Sequence, residues 1–307
     1  MRTLYYVLPL RYLRTLGPAF LFIAALAFAS PVHAADPRDA LVVTPAWLTQ
    51  HEADKDLVIL HAGNAAGFQA GHIPGAHLAD LDQISVSDPQ GLSTELPSAE
   101  ILHQQLEALG ISDNSRVVVY SDSETIPRAT RILLTLDAAG FGKRSYLLDG
   151  GLKEWKAEGH AVTADNPPVT PGHLKPLKLD PAIVSADFVQ AHLKTRGYAV
   201  IDGRAADFYS GGQASMGGKG HLPGAGNIPF TTVTGPDGKL KSPEELRQMF
   251  TQAGYKPGDH VIAYCHIGIQ ATAVVFAART LGIDAKLYDG SFQDWVKRGL
   301  PVETGSH

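Results

Sequence analysis

The stretch VIAYCHIGIQATAV, residues 261–274, contains the single cysteine of the chain, Cys265. The four residues before Cys265 are typical of a buried strand, and a helix is predicted from about Gln270 to Leu281. A second stretch, VVVYSDSETIPRAT at residues 117–130, has the same order of strand, loop and helix, with Ser121 in place of the cysteine. The two stretches predict a duplicated strand–loop–helix unit, of which one copy has a thiol.

This match belongs to a repeat that covers most of the chain. GHIPGAH at 71–77 returns as GHLPGAG at 220–226, and YLLDGGLKEW at 146–155 returns as KLYDGSFQDW at 286–295. Apolar strand segments alternate with helix signals in both halves, which predicts parallel sheets with helices on both faces. We therefore expect an α/β protein with an N-terminal domain at 40–164 and a C-terminal domain at 182–304. The proline-rich segment between them, 165–181, predicts an extended linker.

The first residues are typical of an export signal. Three arginines precede the apolar run AFLFIAALAFA at 19–29, and Val32-His33-Ala34 then forms a small-residue cleavage pattern. The run is short for a membrane span, which needs about 20 apolar residues, so an uncleaved anchor is the weaker alternative. We expect a signal peptide at 1–34 and a periplasmic mature protein without a membrane partner.

The composition excludes several classes of partner. The 307 residues are 44% apolar and 19% charged, with a formal net charge of −5. Such a chain has no basic excess to attract nucleic acid or an acidic membrane surface. Its single cysteine excludes an internal disulfide, and its thirteen histidines show no metal-ligand spacing, so we expect no metal site.

Cys265 is compatible with two roles. Free cysteine is often a small buried residue, so packing alone could account for it. However, Cys265 follows a strand of a parallel sheet, the position at which ligands bind in such folds. Gly268 permits a sharp turn there, and the N–H groups of the loop would then surround the sulfur and favour its thiolate. Those N–H groups belong to His266, Ile267, Gly268, Ile269 and Gln270. This arrangement favours a nucleophile.

The tandem halves, the GHIPGA and GHLPGA motifs, the cysteine loop and the closing DGSFQDW together resemble the rhodanese family of sulfurtransferases in its two-domain form. The resemblance implies that the N-terminal copy is non-catalytic and that Cys265 carries sulfur as a persulfide. It implies a small anionic donor such as thiosulfate, and as acceptor cyanide or a thiol, including a thiol-bearing protein. No cofactor is implied. Alternatives are a 3-mercaptopyruvate or polysulfide sulfurtransferase, or a non-enzymatic persulfide carrier.

Other side chains are expected near the same sheet edge. Asp202 and Arg204 follow a strand, and Arg204 could attract an anionic donor or, with Asp202, brace loops by hydrogen bonds. His266 could assist the thiolate, orient the donor or simply face solvent. The insertion GGQASMGGKG at 211–220 could be a lid that points Lys219 at the donor, or an exposed loop.

Two further comparisons narrow the function. Members of the family that prefer thiosulfate often have arginine or lysine in the cysteine loop, and some have an arginine near the position of Phe208. This chain has neither, which puts a preference for thiosulfate in question. A cysteine phosphatase requires arginine six positions after the cysteine, where this chain has Ala271, and this argues against that class.

Overall fold

The computed structural model describes residues 1–5, 36–87, 89, 91–123, 125–166 and 168–305. The chain divides into two compact units, Met1–Ala34 and Ala35–His307. In the first unit, the described residues 1–5 have no regular secondary structure. The expected apolar run and cleavage pattern lie outside the described residues. Within the described part of the chain, no helix is both long enough and apolar enough to cross a membrane.

The first half of the second unit contains a parallel sheet of five strands in the order β1-β5-β4-β2-β3. The strands are β1 (Val42–Val43), β2 (Leu57–Ala62), β3 (Ala76–Ala79), β4 (Arg116–Ser121) and β5 (Ser145–Leu148). The helices are α1 (Pro45–His51), α2 (Ala65–Ala70), α3 (Leu81–Ile84), α4 (Ala99–Ala108), α5 (Pro127–Ala138) and α6 (Gly151–Ala157).

The second half repeats this sheet with the order β10-β7-β11-β12-β6, and all of its strand pairs are again parallel. Its strands are β6 (Ile183–Val184), β7 (Tyr198–Asp202), β10 (Gly226–Asn227), β11 (His260–Tyr264) and β12 (Ala285–Tyr288). A small antiparallel hairpin, β8 (Ala214–Ser215) and β9 (Gly218–Lys219), lies in the insertion. The helices are α7 (Ala186–His192), α8 (Ala206–Ser210), α9 (Pro243–Gln252), α10 (Ala271–Thr280) and α11 (Ser291–Lys297).

The predicted α/β architecture is confirmed. Helix α9 begins at a capping box, in which the Ser242 hydroxyl accepts from the Glu245 N–H and the Glu245 carboxylate accepts from the Ser242 N–H. Helix α10 spans Ala271–Thr280, one residue shorter at each end than the sequence predicts. The described part of 165–181 has no helix or strand, and the Gly172 N–H donates to the Glu107 carbonyl of the first half.

The histidines of the repeated turns have a structural role in both halves. His72 Nδ1 bonds the Phe68 carbonyl at 2.8 Å and its ring stacks on Phe68. His221 Nδ1 bonds the Tyr209 carbonyl at 2.8 Å and its ring stacks on Tyr209. The same contacts occur in the copy without a cysteine, so they serve the turn and not the chemistry.

The inner faces of both sheets share one hydrophobic core. Helices α5 and α10 pack against each other at its centre, where the hydroxyls of Thr130 and Thr272 are hydrogen-bonded at 2.7 Å. Separate smaller cores cover the outer face of each sheet. Because the central core draws apolar side chains from both halves, burial of that surface stabilises the two sheets as one structure.

A loop of the second half is bound by an aspartate of the first. Asp149, in the repeated DG motif, accepts the Leu240 N–H at 2.9 Å and pairs with Arg38 at 3.2 Å. Arg38 also donates to the carbonyls of Leu240 and Lys241. These bonds fix the segment before α9 against the first half.

Candidate functional site

Cys265 lies directly after β11, at the carboxyl edge of the parallel sheet, and α10 begins at Ala271. The intervening loop turns sharply at Gly268, which has a φ of +81°. A Cβ atom at this position would lie 2.5 Å from Asp289 Oδ1 and 2.6 Å from the Asp289 carbonyl oxygen. The conformation and the lack of space both require glycine, as the sequence led us to expect.

The loop leaves a row of backbone donors unused. The Cys265 N–H donates to Ser291 Oγ at 3.1 Å, and the carbonyls of Cys265 and His266 accept from the N–H groups of Phe292 and Gln293. Among the residues that the structure describes, no acceptor is found for the N–H groups of 266–270. Consecutive free N–H groups next to a buried thiol form a setting in which a thiolate or bound anion is stabilised.

The corresponding loop of the first half is closed by its own groups. Ser121 Oγ accepts from the Ser123 N–H at 3.1 Å and donates to the Thr125 carbonyl at 3.0 Å. Asp122 lies 3.3 Å from His61, and this hydrogen bond lowers the pKa of the Asp122 carboxyl, which therefore stays anionic at neutral pH. A self-bonded hydroxyl beside a fixed negative charge does not favour a second anion.

His266 is half-buried rather than turned to solvent. Its Nδ1 is hydrogen-bonded to the hydroxyl of Ser215, on the inserted hairpin, and its ring meets Phe208 edge-on with the centroids 4.7 Å apart. Burial and the positive charge of Arg204 lower the pKa of His266 to about 4, although Asp202 opposes them. The ring is therefore neutral at neutral pH and adds no positive charge beside Cys265.

Asp202 and Arg204 form a fully buried ion pair at the end of β7. Arg204 Nη2 lies 2.6 Å from Asp202 Oδ2 and donates to the Gly220 carbonyl at 2.7 Å, and the guanidinium lies over the Phe292 ring at 4.0 Å. Burial acts to lower the pKa of Arg204, but the hydrogen bond and charge of Asp202 raise it overall, with a smaller contribution from Cys265. The contacts shown are those of a brace between β7 and the insertion, and the buried Nη1 has no hydrogen-bond partner among the described residues.

The first half holds the cysteine loop in place. Arg131, on α5, pairs with Asp289 and donates from Nη1 to the Gly268 carbonyl at 3.1 Å. Thr94 Oγ1 donates to the Ile267 carbonyl at 2.5 Å. The side chains of Arg131 and Asp289 are almost fully buried, with 2% and 3% of their surface exposed. These contacts from the first half hold the carbonyls of Ile267 and Gly268, and with them the direction of the free N–H groups.

A cavity of about 710 Å³ lies above the loop, with Cys265 in its wall although the residue itself has no exposed surface. Both halves and the inserted hairpin contribute to the lining. The first half supplies Leu81, Asp82, Thr94, Ser123, Thr125, Pro127 and Arg128. The second half supplies Phe208, Ala214, Ser215, Met216, Phe230, Cys265, His266, Ile267, Ile269 and Gln270.

The structure thus brings together Cys265, His266 and the loop residues, with Asp202 and Arg204 supporting them from the side. It also shows contributions that the sequence did not indicate, from Arg128, Arg131 and Ser215. For Arg131 the sequence does contain a clue that was not used. A charged residue among the apolar residues of a helix requires a buried partner. From the insertion, Met216 and not Lys219 lines the cavity. Among the described residues, no cluster of histidine, cysteine or carboxylate side chains could hold a metal ion.

Comparison with known proteins identifies both halves of the chain. A family model described as "Rhodanese-like domain" matches residues 44–158 and again 185–298. A probable 3-mercaptopyruvate sulfurtransferase of Pseudomonas aeruginosa is 33% identical over 281 residues, which are 87% of this chain and 99% of that relative. A putative thiosulfate sulfurtransferase of Synechococcus elongatus is 29% identical over 92% of this chain and 91% of its own length.

Solved structures agree on the fold. YnjE superposes with a TM-score of 0.77 at 24% identity, covering 89% of this chain and 70% of the other. The anaerobic ergothioneine biosynthesis enzyme of Chlorobium limicola superposes with a TM-score of 0.78 at 22% identity, over 88% of this chain and 71% of the other. At these identities the superpositions establish shared architecture alone.

Proposed function

Because this chain belongs to the rhodanese family, as a tandem pair of rhodanese-like domains, we propose that it is a sulfurtransferase in which Cys265 carries the transferred sulfur as a persulfide. The observation that carries the proposal is the loop after Cys265, whose N–H groups at 266–270 have no acceptor among the described residues. A persulfide is an anion with its charge on the outer sulfur, and such N–H groups stabilise that charge without rearrangement.

The first step forms the persulfide. With thiosulfate, the Cys265 thiolate attacks the outer sulfur, a new sulfur–sulfur bond forms, and sulfite leaves with the electron pair of the bond that breaks. With 3-mercaptopyruvate, the carbon–sulfur bond breaks instead, and the carbon takes the electron pair and a proton to give pyruvate. In the second step an acceptor nucleophile attacks the outer sulfur and Cys265 leaves as thiolate. Covalent catalysis divides the transfer into two easier displacements.

Relatives named for each donor resemble the chain to a similar degree, which supports testing thiosulfate and 3-mercaptopyruvate side by side. The loop has no lysine or arginine to neutralise a dianion. A monoanionic donor requires less compensating charge, and this favours 3-mercaptopyruvate over thiosulfate on electrostatic grounds.

The test is mass spectrometry of the protein after incubation with each donor in turn. We expect a mass gain equal to one sulfur atom, located on Cys265, removed by cyanide as thiocyanate and absent in Cys265→Ser. Sulfite or pyruvate release, followed at equal donor concentrations, then ranks the donors. If neither donor nor a polysulfide adds sulfur to the wild-type protein, the proposed activity is wrong.

We also propose that residues 1–34 are an export signal and that the mature protein acts in the periplasm. The charged start, short apolar run and small residues before Ala35 support this. Intact-mass measurement of protein from the periplasmic fraction should show a chain that begins at Ala35. Full-length protein confined to the cytoplasm would refute the proposal.

A further inference from the structure

The cavity beside Cys265 is larger than the small substrates require. Its volume of about 710 Å³ is typical of sites for organic ligands, which occupy about 300–1,000 Å³. Thiosulfate, cyanide and 3-mercaptopyruvate are all far smaller, and the first two are strongly hydrated anions that gain little from an apolar wall. The cavity therefore has room for a larger apolar body than any of these substrates possesses.

One wall of the cavity is apolar and comes from separate segments of the second half. Phe208 is fixed there by its edge-on contact with His266, and Phe230 follows β10. Met216 lies at the turn of the inserted hairpin with 49% of its surface exposed and a left-handed φ of 52°. A large exposed apolar side chain at a cavity wall is stabilised when an apolar group of a ligand covers it, because that surface is removed from water.

The lining from the first half includes one cationic group. Arg128, at the start of α5, is the only lysine or arginine among the described residues that line the cavity. It is exposed, and no hydrogen bond or ion pair joins its side chain to another described residue, although its positive charge helps to lower the pKa of Asp122. Its neighbour Arg131 shows the contrast, because that guanidinium is buried and fully used by Asp289 and Gly268. Among the described residues that line the cavity, Asp82 is the one carboxylate.

We propose that the sulfur acceptor is an organic thiol with an aromatic or aliphatic body and an anionic group such as a carboxylate. Phe208, Met216 and Phe230 cover the body, and the guanidinium of Arg128 binds the anionic group. This inference rests on the proposed persulfide chemistry. In the transfer step the thiolate R–S⁻ attacks the outer sulfur of Cys265–S–SH, the bond between the two sulfurs of the persulfide breaks, and the products are R–S–SH and the Cys265 thiolate.

Two aromatic thiols of similar size test the anionic contact, 4-mercaptophenylacetate and the uncharged 4-mercaptobenzyl alcohol. Protein loaded with persulfide, verified by mass, is mixed with each thiol and the loss of persulfide is timed. We expect the acid to react about tenfold faster than the alcohol in wild type, the scale of one charge-assisted hydrogen bond. In Arg128→Ala the ratio of the two rates should fall close to one, and Arg128→Lys should retain part of it.

Control variants separate this contact from general effects. Arg196 is an exposed arginine outside the cavity, so Arg196→Ala should keep the wild-type ratio. Phe230→Ala should slow both aromatic thiols relative to mercaptoacetate, which lacks the apolar body. Equal rates for the acid and the alcohol in wild type would overturn the inference. The inference would also be overturned if the ratio of the two rates were unchanged in Arg128→Ala. The same holds if the rate with the acid fell further in Asp82→Asn than in Arg128→Ala.

A binding measurement keeps the test independent of catalysis. Cys265→Ser is titrated with 4-hydroxyphenylacetate and 4-hydroxybenzyl alcohol, which have no thiol. The acid should bind about tenfold more tightly, and Arg128→Ala in the same background should abolish the difference. Absence of the preference here refutes the anionic contact even if persulfide forms. Presence of the preference without persulfide formation supports the contact and places the failure in the proposed chemistry.

Discussion

The ion pair between Arg131 and Asp289 should make the first half necessary for both stability and sulfur transfer. Replacing Arg131 by methionine leaves a carboxylate that is 3% exposed without its counter-charge. Breaking a buried pair in this way costs about 3–5 kcal/mol. Asp289 keeps one donor, the Leu96 N–H at 3.0 Å, so we expect the lower end of that range, about 3 kcal/mol.

Urea unfolding measures this loss directly. With an m value of about 3 kcal/mol/M, the midpoint for Arg131→Met should fall by about 1 M. Adding Asp289→Asn removes the unpaired charge and should restore part of the lost stability. The partly exposed pair between Arg279 and Asp137 also joins α10 to α5, so Arg279→Met is the matched control and should cost less than about 1 kcal/mol.

Arg131→Met should also slow persulfide formation under conditions where the variant remains folded, because the Gly268 carbonyl loses its tether. A loss of stability below about 1 kcal/mol would contradict the assigned role of the pair. Further destabilisation on adding Asp289→Asn would contradict it as well, since the second change would then remove a favourable group and not an unpaired charge.

Three further results are expected. Ser121→Cys combined with Cys265→Ser should form no persulfide, because the loop of the first half uses its own groups to bond the side chain at 121 and contains the anionic Asp122. Any donor-dependent mass gain would refute this. Gly268→Ala should abolish persulfide formation and destabilise the fold more than Gly258→Ala. Both glycines have a positive φ, but only a Cβ at 268 meets atoms within 4 Å, so equal losses would show that backbone strain alone matters. The pKa of His266 is lowered to about 4 in the folded protein, so the unfolded chain binds more protons and stability falls as pH drops from about 6.5 towards 4. His266→Gln should lessen that fall in urea unfolding at pH 7 and pH 4.5, and an identical pH dependence in both proteins would contradict the assignment.

The fold and the position of the nucleophile could be predicted because they depend on local patterns. Apolar strands, helix caps and a repeated DG motif are recorded in neighbouring residues, and the carboxyl edge of a parallel sheet then places Cys265. The comparison of Cys265 with Ser121 needed only the internal repeat. Even the need for Gly268 could be anticipated from the sharp turn.

The environment of the nucleophile could not be predicted in the same way, because it comes from distant parts of the chain. Arg128 and Arg131 belong to the other half, and only the packing of α5 on α10 brings them to the loop. The insertion has no counterpart in the first copy, so the internal repeat offers no register by which to place Met216 or Lys219. The alternative roles considered for His266 and Arg204 differ in whether the side chain is buried. Burial depends on tertiary contacts and not on neighbouring residues.

The aspartate of each DG motif accepts a hydrogen bond from a backbone N–H of the other half. Asp149 of the first half accepts the Leu240 N–H of the second, and Asp289 of the second accepts the Leu96 N–H of the first. After a duplication, a copy that is bound in this way can lose its reactive residue and still be required. If that copy were removed, the other copy would be left with a buried carboxylate that has no counter-charge and with an uncovered hydrophobic core. Sequence change in the first half is therefore restricted at these hydrogen bonds and at the shared core, while Ser121 itself, whose hydroxyl bonds only within its own loop, is under no such restriction.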